Sequence, residues 1–508
     1  MNRSWGYMRV PRTDEISGHA GRLGWTLSEE ETALYTEAVT AAVADLDDIE
    51  DLPETAVPLK YTRRDPGRRP TPDEDPCNAV IQLCEVPGNP DGPLAGKTLA
   101  VKDCIAVAGV PMTNGGRRHP VLVPTEDAVV IERLLDAGVT VVAKTNLEDL
   151  GYGQGEGSAY GPTLNPLDAT RSTGGSSSGS GAAVASGLAD LAIGADEGGS
   201  VRIPSAWCGL VGMKATHGLV PSYGMTYMNH TLDHIGPMTK TVRDNALMLE
   251  AMAGPDWRDP QWARELPPGP FRYADAGGDI QGLKIGILLD SLGPVGATAD
   301  VIAAFESAAR TLKLLGATVS TVSVPLWSKG QSISMATTAA AAYSMVSSGG
   351  TGGYQHMGRI DPHATAVAAA QARLGGDDLP PMMKTSLLVA EHVNRHYSGL
   401  PFVKAHNLRL DLRRQIDAQF ADVDVLITPT TPGVAHTLLN GRTDSETMIR
   451  GRGRTATRNT CPTDLTGHPS LSVPCGTGEA GMPVGLQIIG PRYAEELLYR
   501  VGFAFEAS

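Results

Sequence analysis

A chain of 508 residues, 41% of them hydrophobic, is long enough to bury a large core. Its formal charge of −14 leaves no basic footprint for nucleic acid or an anionic membrane, and no stretch approaches about 20 uninterrupted apolar residues. Six cysteines (Cys77, Cys84, Cys104, Cys208, Cys461 and Cys475) show neither a disulfide framework nor C-x-x-C pairs, and the polar N-terminus has no apolar leader, so reduced thiols in a soluble cytoplasmic protein are expected.

In chain order, Leu27 to Asp51 carries Ser28 and acids in its first turn, then Ala33, Leu34, Val39, Ala42, Val43 and Leu46 at helical spacing. This predicts a helical N-terminal extension, residues 1–75, ending in an exposed linker rich in proline and charge from Tyr61 to Asp75. From about Pro93, short apolar runs alternate with helical patterns. Leu99–Val101 and Val139–Ala143 read as strands around a helix from Ala128 to Ala137. Further strands are expected at Lys284–Leu289, Ala317–Val324, Val423–Thr428, Ser470–Val473 and Val484–Ile489. Such alternation predicts an α/β fold, a parallel or mixed sheet covered by helices on both faces. The texture changes between Leu326 and Leu400, where Ala336–Ala342 and His392–Tyr397 suggest helices and Ser347–Gly353 a Gly/Ser loop. The expected organisation is a core over 76–325 and 401–508, with a smaller inserted helical unit over 326–400 beside the substrate entrance.

Three residues carry an acyl-transfer reading. Ser176 lies in the run Gly174 to Gly181, Ser200 follows Gly198-Gly199 24 positions later, and Lys102 ends an apolar run upstream. A serine hydroxyl needs a base, and a lysine serves when burial makes it give up its proton. The neighbouring glycines let backbone N–H groups approach a developing oxyanion.

Competing readings of these residues fit less well. A Gly/Ser linker does not lead into the small helical pattern Ala182–Ala189, and a phosphate loop needs Lys-Ser/Thr where Ala182-Ala183 stand. Gly175-Ser176-Ser177-Ser178-Gly179 satisfies a G-x-S-x-G elbow with Ser177 as nucleophile, but polar Ala169–Thr173 precedes it instead of an apolar strand. His392 and His396 share a helical face, yet Val393 stands where a metalloprotease carries its glutamate. Cys208 beside Trp207 reads as packing. No metal or organic cofactor is implied.

The segment Ser172 to Gly224 closely resembles the signature of the amidase signature family, on Gly174–Ser177, Gly194–Pro204 and Cys208–Lys214. Ala100–Asp103, Ala143–Asn146, Leu232–Met238 and Pro483–Gly490 fit in the expected order, so the resemblance runs from about Pro76 to Phe505. The helical extension and Leu219–Pro237 look most like the bacterial enantioselective amidases. The resemblance implies a Ser-cisSer-Lys triad: Ser200 as nucleophile, Ser176 after a cis peptide bond as proton relay, and Lys102 as base. It further implies an oxyanion hole from the N–H groups of Glu197, Gly198, Gly199 and Ser200, with Ser177, Asp196 and Arg202 in support. Ser178, Gly181, Glu197 and Ala215 depart from the family's usual residues. Glu197 brings a carboxylate near the oxyanion, so its side chain is expected to point away or to pair with a base.

Loop position nominates Tyr152, Gly153, Gln154, Met225, Tyr227 and Met228 as substrate-pocket residues, which favours aryl or bulky hydrophobic amides and anilides. Carbamates (urethanes), hydrazides and esters are alternatives, since nucleophile and oxyanion hole meet only the carbonyl. A further alternative is one component of a tRNA-dependent amidotransferase. The expected partners are a small-molecule amide or carbamate and a second copy in a homodimer, with neither nucleic acid nor membrane.

Overall fold

The computed structural model describes residues 8–49, 52–153, 156–259, 266–293, 297–347, 357–373, 376–438 and 454–508. Compactness divides the chain into two units, Met1–Pro58 and Leu59–Ser508. In the first, helix Glu29–Ile49 stands where the acid-rich first turn points, and helix Thr13–Arg22, not expected from the sequence, precedes it. Ser28 Oγ accepts from the Glu31 N–H at 3.2 Å while Glu31 returns a carboxylate to the Ser28 N–H at 2.8 Å, a reciprocal cap that starts the second helix.

The stretch expected to be an exposed linker, Tyr61 to Asp75, lies within the second unit. Asp65–Arg68 forms strand β1, and the Arg64 guanidinium reaches Asp127 Oδ1 at 2.8 Å and the Ala108 carbonyl at 3.1 Å. Charge here is anchored by a partner about 60 residues away, which local composition does not reveal.

The strands that follow are β2 (Val80–Pro87), β3 (Thr98–Lys102), β4 (Thr140–Thr145), β5 (Leu164–Asn165), β6 (Asp168–Ser172), β7 (Leu191–Asp196), β8 (Val211–Lys214) and β9 (His234–Thr239). The second half adds β10 (Lys284–Leu288), β11 (Thr318–Val322), β12 (Val425–Pro429), β13 (Ser470–Thr477) and β14 (Pro483–Ile489). Among the described residues, twelve of these make one mixed sheet in the order β1-β2-β4-β3-β7-β9-β8-β13-β14-β12-β10-β11, and β5 pairs with β6 apart from it.

Strand alternation explains why helices cover both faces. Leu99, Val101, Leu191 and Ile193 enter a core with helices Val129–Asp136, Val242–Met252, Ala299–Leu314 and Glu495–Glu506. Their neighbours Ala100 and Ala192 face the opposite side, against the small residues of helix Ser178–Ser186. Further along the sheet, Leu288, Leu426 and Ile489 pack on that side against Trp327, Ile333, Leu412 and Ile416. The expected inserted unit corresponds to helices Gly330–Ser347, Pro362–Arg373 and Pro381–Tyr397, within the same compact unit as the sheet. Most of the expected Gly/Ser loop, Ser347–Gly353, lies outside the described residues.

Candidate active site

β3 and β7 are parallel neighbours, with Val101 opposite Ile193, so their C-terminal ends emerge side by side. Lys102 ends β3, and Asp196 ends β7 four residues before Ser200. The loop between β6 and helix Ser178–Ser186 brings in Ser176 through a cis Gly175–Ser176 peptide. Lys102 Nζ donates to Ser176 Oγ at 2.8 Å and to the Ala195 carbonyl at 3.3 Å. Both side chains are 2% exposed, and burial lowers the Lys102 pKa from its ordinary value. The other buried lysine at a neighbouring strand end, Lys144, is paired with Asp103 at 2.9 Å.

The serines around Ser176 have structural partners. Ser177 is fully buried; its Oγ donates to the Ala195 carbonyl at 3.2 Å and accepts from the Ala195 N–H at 3.3 Å. Ser178 Oγ meets Thr163 at 3.2 Å, and Ser180 Oγ meets Thr145 Oγ1 at 2.8 Å and donates to the Ile193 carbonyl at 3.0 Å. These hydroxyls fasten the loop and its helix to the sheet. Gly179 is required for that approach, since a Cβ there would stand 2.2 Å from the Ala79 carbonyl oxygen.

A buried ionic network shapes the turn that carries Ser200. Asp196 accepts from the Gly199 N–H at 2.6 Å, the Val201 N–H at 3.1 Å and Arg202 Nε at 3.0 Å. Arg202 also donates to Thr463 Oγ1, Gln487 Oε1 and Asp464 Oδ2 at 2.7 to 2.9 Å, which joins the turn to helix Cys461–Thr466 and to β14. Burial alone would raise the Asp196 pKa; the Arg202 charge and hydrogen bonds overcome it and hold the carboxylate well below its usual range. The Gly199 N–H is committed to Asp196, which corrects the expectation of four N–H donors for an oxyanion. Those of Glu197, Gly198 and Ser200 have no partner among the described residues.

Ser200, Ser176 and Lys102 line one cavity, together with Cys104, Asn114, Leu147, Leu150, Gly151, Met225, Thr226, Met228 and the acidic residues Asp196, Glu197 and Asp233. Of the expected pocket residues, Met225 and Met228 are there. Tyr227 turns away, its hydroxyl 3.3 Å from Ser222 Oγ and its ring 3.9 Å from that of His230. Tyr152 packs with Ala342 and Met383 behind the wall, Gly153 lies against Glu148, and Gln154 lies outside the described residues. The described lining is therefore aliphatic, sulfur-bearing and acidic; the apolar Met225 and Met228 are where expected, and the tyrosines Tyr152 and Tyr227 are not in it.

Glu197 departs from expectation too. The residue lines the cavity, and the side chain's partner is a hydroxyl and not a base: Thr338 Oγ1 donates to Glu197 Oε1 at 3.1 Å. Burial, then the Asp233 carboxylate, raise the Glu197 pKa, so the acid escapes the cost of a buried charge by holding its proton. Asp233 and Thr338 carried no individual sequence signal, although both sit in segments singled out there. Elsewhere, the His392 and His396 rings lie 4.7 Å apart on helix Pro381–Tyr397, where the preceding Glu391 is engaged by Arg395 at 2.8 Å. Cys208 is buried with its thiol raised in pKa by desolvation.

The amidase family model matches residues 80–499, and the chain belongs to that family. A curated relative, a glutamyl-tRNA(Gln) amidotransferase subunit from Halobacterium salinarum, is 38% identical over 84% of this chain and 99% of its own length. Among solved structures, the corresponding glutamyl-tRNA(Gln) amidotransferase subunit from Thermotoga maritima matches at a TM-score of 0.69 and 29% identity, covering 86% of this chain and 88% of that one. The native peptide amidase of Stenotrophomonas maltophilia matches at 0.66 and 29% identity, covering 85% and 89%.

Proposed function

We propose that the chain hydrolyses the C–N bond of a carboxylic amide through an acyl-enzyme on Ser200, and the Lys102–Ser176 contact of 2.8 Å in the wall that also holds Ser200 is the observation that carries this reading. Neutral Lys102 takes a proton from Ser176, which takes one from Ser200 as its Oγ attacks the carbonyl carbon. The C–N bond then breaks, the relayed proton leaves with the amine, and water hydrolyses the ester so formed. The N–H groups of Glu197, Gly198 and Ser200 would receive the oxyanion. The cavity lining favours an apolar substrate that is neutral or cationic over one carrying a free carboxylate. Carbamates and esters present the same carbonyl and remain substrates of the same machinery.

A second reading is favoured by the names of the curated relatives: the glutaminase component of a tRNA-dependent amidotransferase. Family membership supports both, and the helical unit Met1–Pro58 lies outside the family match. The test is a panel of a primary amide, an anilide, a carbamate, an ester and glutamine, assayed with wild type and Ser200→Ala. Turnover of the simple amides by wild type, lost in Ser200→Ala, is expected. Glutamine hydrolysis seen only beside a co-purifying partner replaces this reading with the second. Loss in Ser177→Ala with activity retained in Ser176→Ala and Ser200→Ala overturns the nucleophile assignment.

A further inference from the structure

The three acids of the cavity wall differ in how fully they are used. Asp196 is saturated by two backbone N–H groups and Arg202. Asp233 Oδ2 accepts from the N–H groups of Met228 and Asn229 at 2.7 and 2.8 Å. Among the described residues Glu197 has one hydrogen bond, from Thr338, against about four acceptor positions on a carboxylate. It also immediately precedes the Gly-Gly turn of Ser200, so its charge bears directly on any oxyanion formed there. Two further oxygens add polar capacity around it. Asn114, in the same wall, has a buried Oδ1 with no hydrogen-bond partner among the described residues. The Tyr152 hydroxyl, on a side chain 4% exposed, also lacks one and lies within the electrostatic reach of Glu197 and Asp233.

Resting on the amide-hydrolysis reading, we infer that Glu197 is a specificity determinant that selects an amide carrying a cationic group a few bonds from its scissile carbonyl. With a neutral substrate, ionised Glu197 opposes the oxyanion. With a cationic one, the carboxylate finds a partner and that opposition is offset. The groups facing Glu197 are Lys102 from β3, Asp196 from β7, Asp233 from the segment before β9, Thr338 from helix Gly330–Ser347, and Tyr152. Among these described groups Lys102 is the cation, and it is already held by Ser176. Because burial and Asp233 raise the Glu197 pKa, its selectivity should strengthen as the medium turns alkaline.

The test compares two amides that differ only in a terminal trimethylammonium or its neutral tert-butyl isostere, so the substrate charge is constant with pH. The ratio of kcat/KM, cationic over neutral, is read at about pH 6 and about pH 9 in wild type, Glu197→Gln and Glu197→Asp. A ratio of roughly 10- to 100-fold in wild type is expected at about pH 9, the lower range of a close, desolvated charge pair, and a smaller one at about pH 6, where Glu197 holds its proton. It should rise with pH, collapse toward one in Glu197→Gln and recover in Glu197→Asp. A wild-type ratio near one at about pH 9, or one that neither rises with pH nor changes in Glu197→Gln, overturns the inference while leaving amide hydrolysis standing. A wild-type ratio that stays flat with pH overturns the inference without any variant; a rising one is assigned to Glu197, and not to Asp233 of the same wall, by its loss in Glu197→Gln. No turnover of either amide overturns the parent reading and this inference with it.

Discussion

Lys102 is held where an ammonium is costly: it is 2% exposed, its Nζ meets a serine hydroxyl and a carbonyl oxygen, and desolvation is the largest influence on its pKa. A base so placed loses its proton below the pH at which an exposed lysine would, and the proposed chemistry runs only after that loss. Activity on a neutral amide should therefore fall as the medium is acidified, about tenfold per pH unit on the acid limb. A rate flat from about pH 5 to 9, with chemistry shown to limit it, contradicts the assignment of Lys102 as base. Lys102, Ser176 and Ser200 were legible in the sequence because each stands where a strand end or a glycine turn delivers it. Other features depend on contacts between distant segments and left no local trace. Thr338 meets Glu197 across 141 positions, the Gly199 N–H is drawn to Asp196 by the geometry of the turn, and Tyr227 turns toward Ser222.

At the scale of elements, β3, β4 and β10 to β14 were readable from their apolar runs, whereas β1, β2, β5, β6, β7, β8 and β9 were not anticipated. β1 is exposed along its whole length, β6 is polar, and β7 carries Gly194 and Ala195 where a strand pattern expects bulk. Arg202 ties three elements together, and its value lies in pairing two buried acids. Replacing it in Arg202→Met leaves Asp196 and Asp464 without their cation and should cost roughly 3–5 kcal/mol of stability. Chemical denaturation measures this. The sign of the pH effect follows from the same pair: Asp196 titrates lower in the folded protein than in the unfolded chain, so its contribution is present above about pH 4 and lost as pH falls further. The turn itself tolerates little. Gly199 has φ +128°, and a Cβ there would lie 2.2 Å from Thr460 Oγ1. Gly199→Ala should lower kcat by about 10²-fold or more through displaced N–H donors. Gly179→Ala should act first on stability, by roughly 1–3 kcal/mol, because it forces a helix off the sheet. Parallel thermal melts and rates separate the two effects.

Over the whole molecule, the mixed sheet with helices on both faces was inferable from alternation, and the family from the signature segment. The division after Pro58 was not, because Arg64 and β1 bind back to the second unit through partners that composition does not expose. No helix among the described residues is long and apolar enough to cross a membrane. The purified chain alone should hydrolyse a simple amide without added protein components or RNA. Activity that appears only when a partner protein is restored is the outcome that moves the assignment to the amidotransferase reading.

In the proposed reaction Ser200, and not a hydroxyl of the serine-rich loop, forms the covalent intermediate. Intact-mass analysis with a slowly deacylating amide or a sulfonyl fluoride, followed by peptide mapping, tests it most directly. A single adduct on Ser200, absent in Ser200→Ala, is the expected result; an adduct on Ser176 or Ser177, or labelling that persists in Ser200→Ala, contradicts the account.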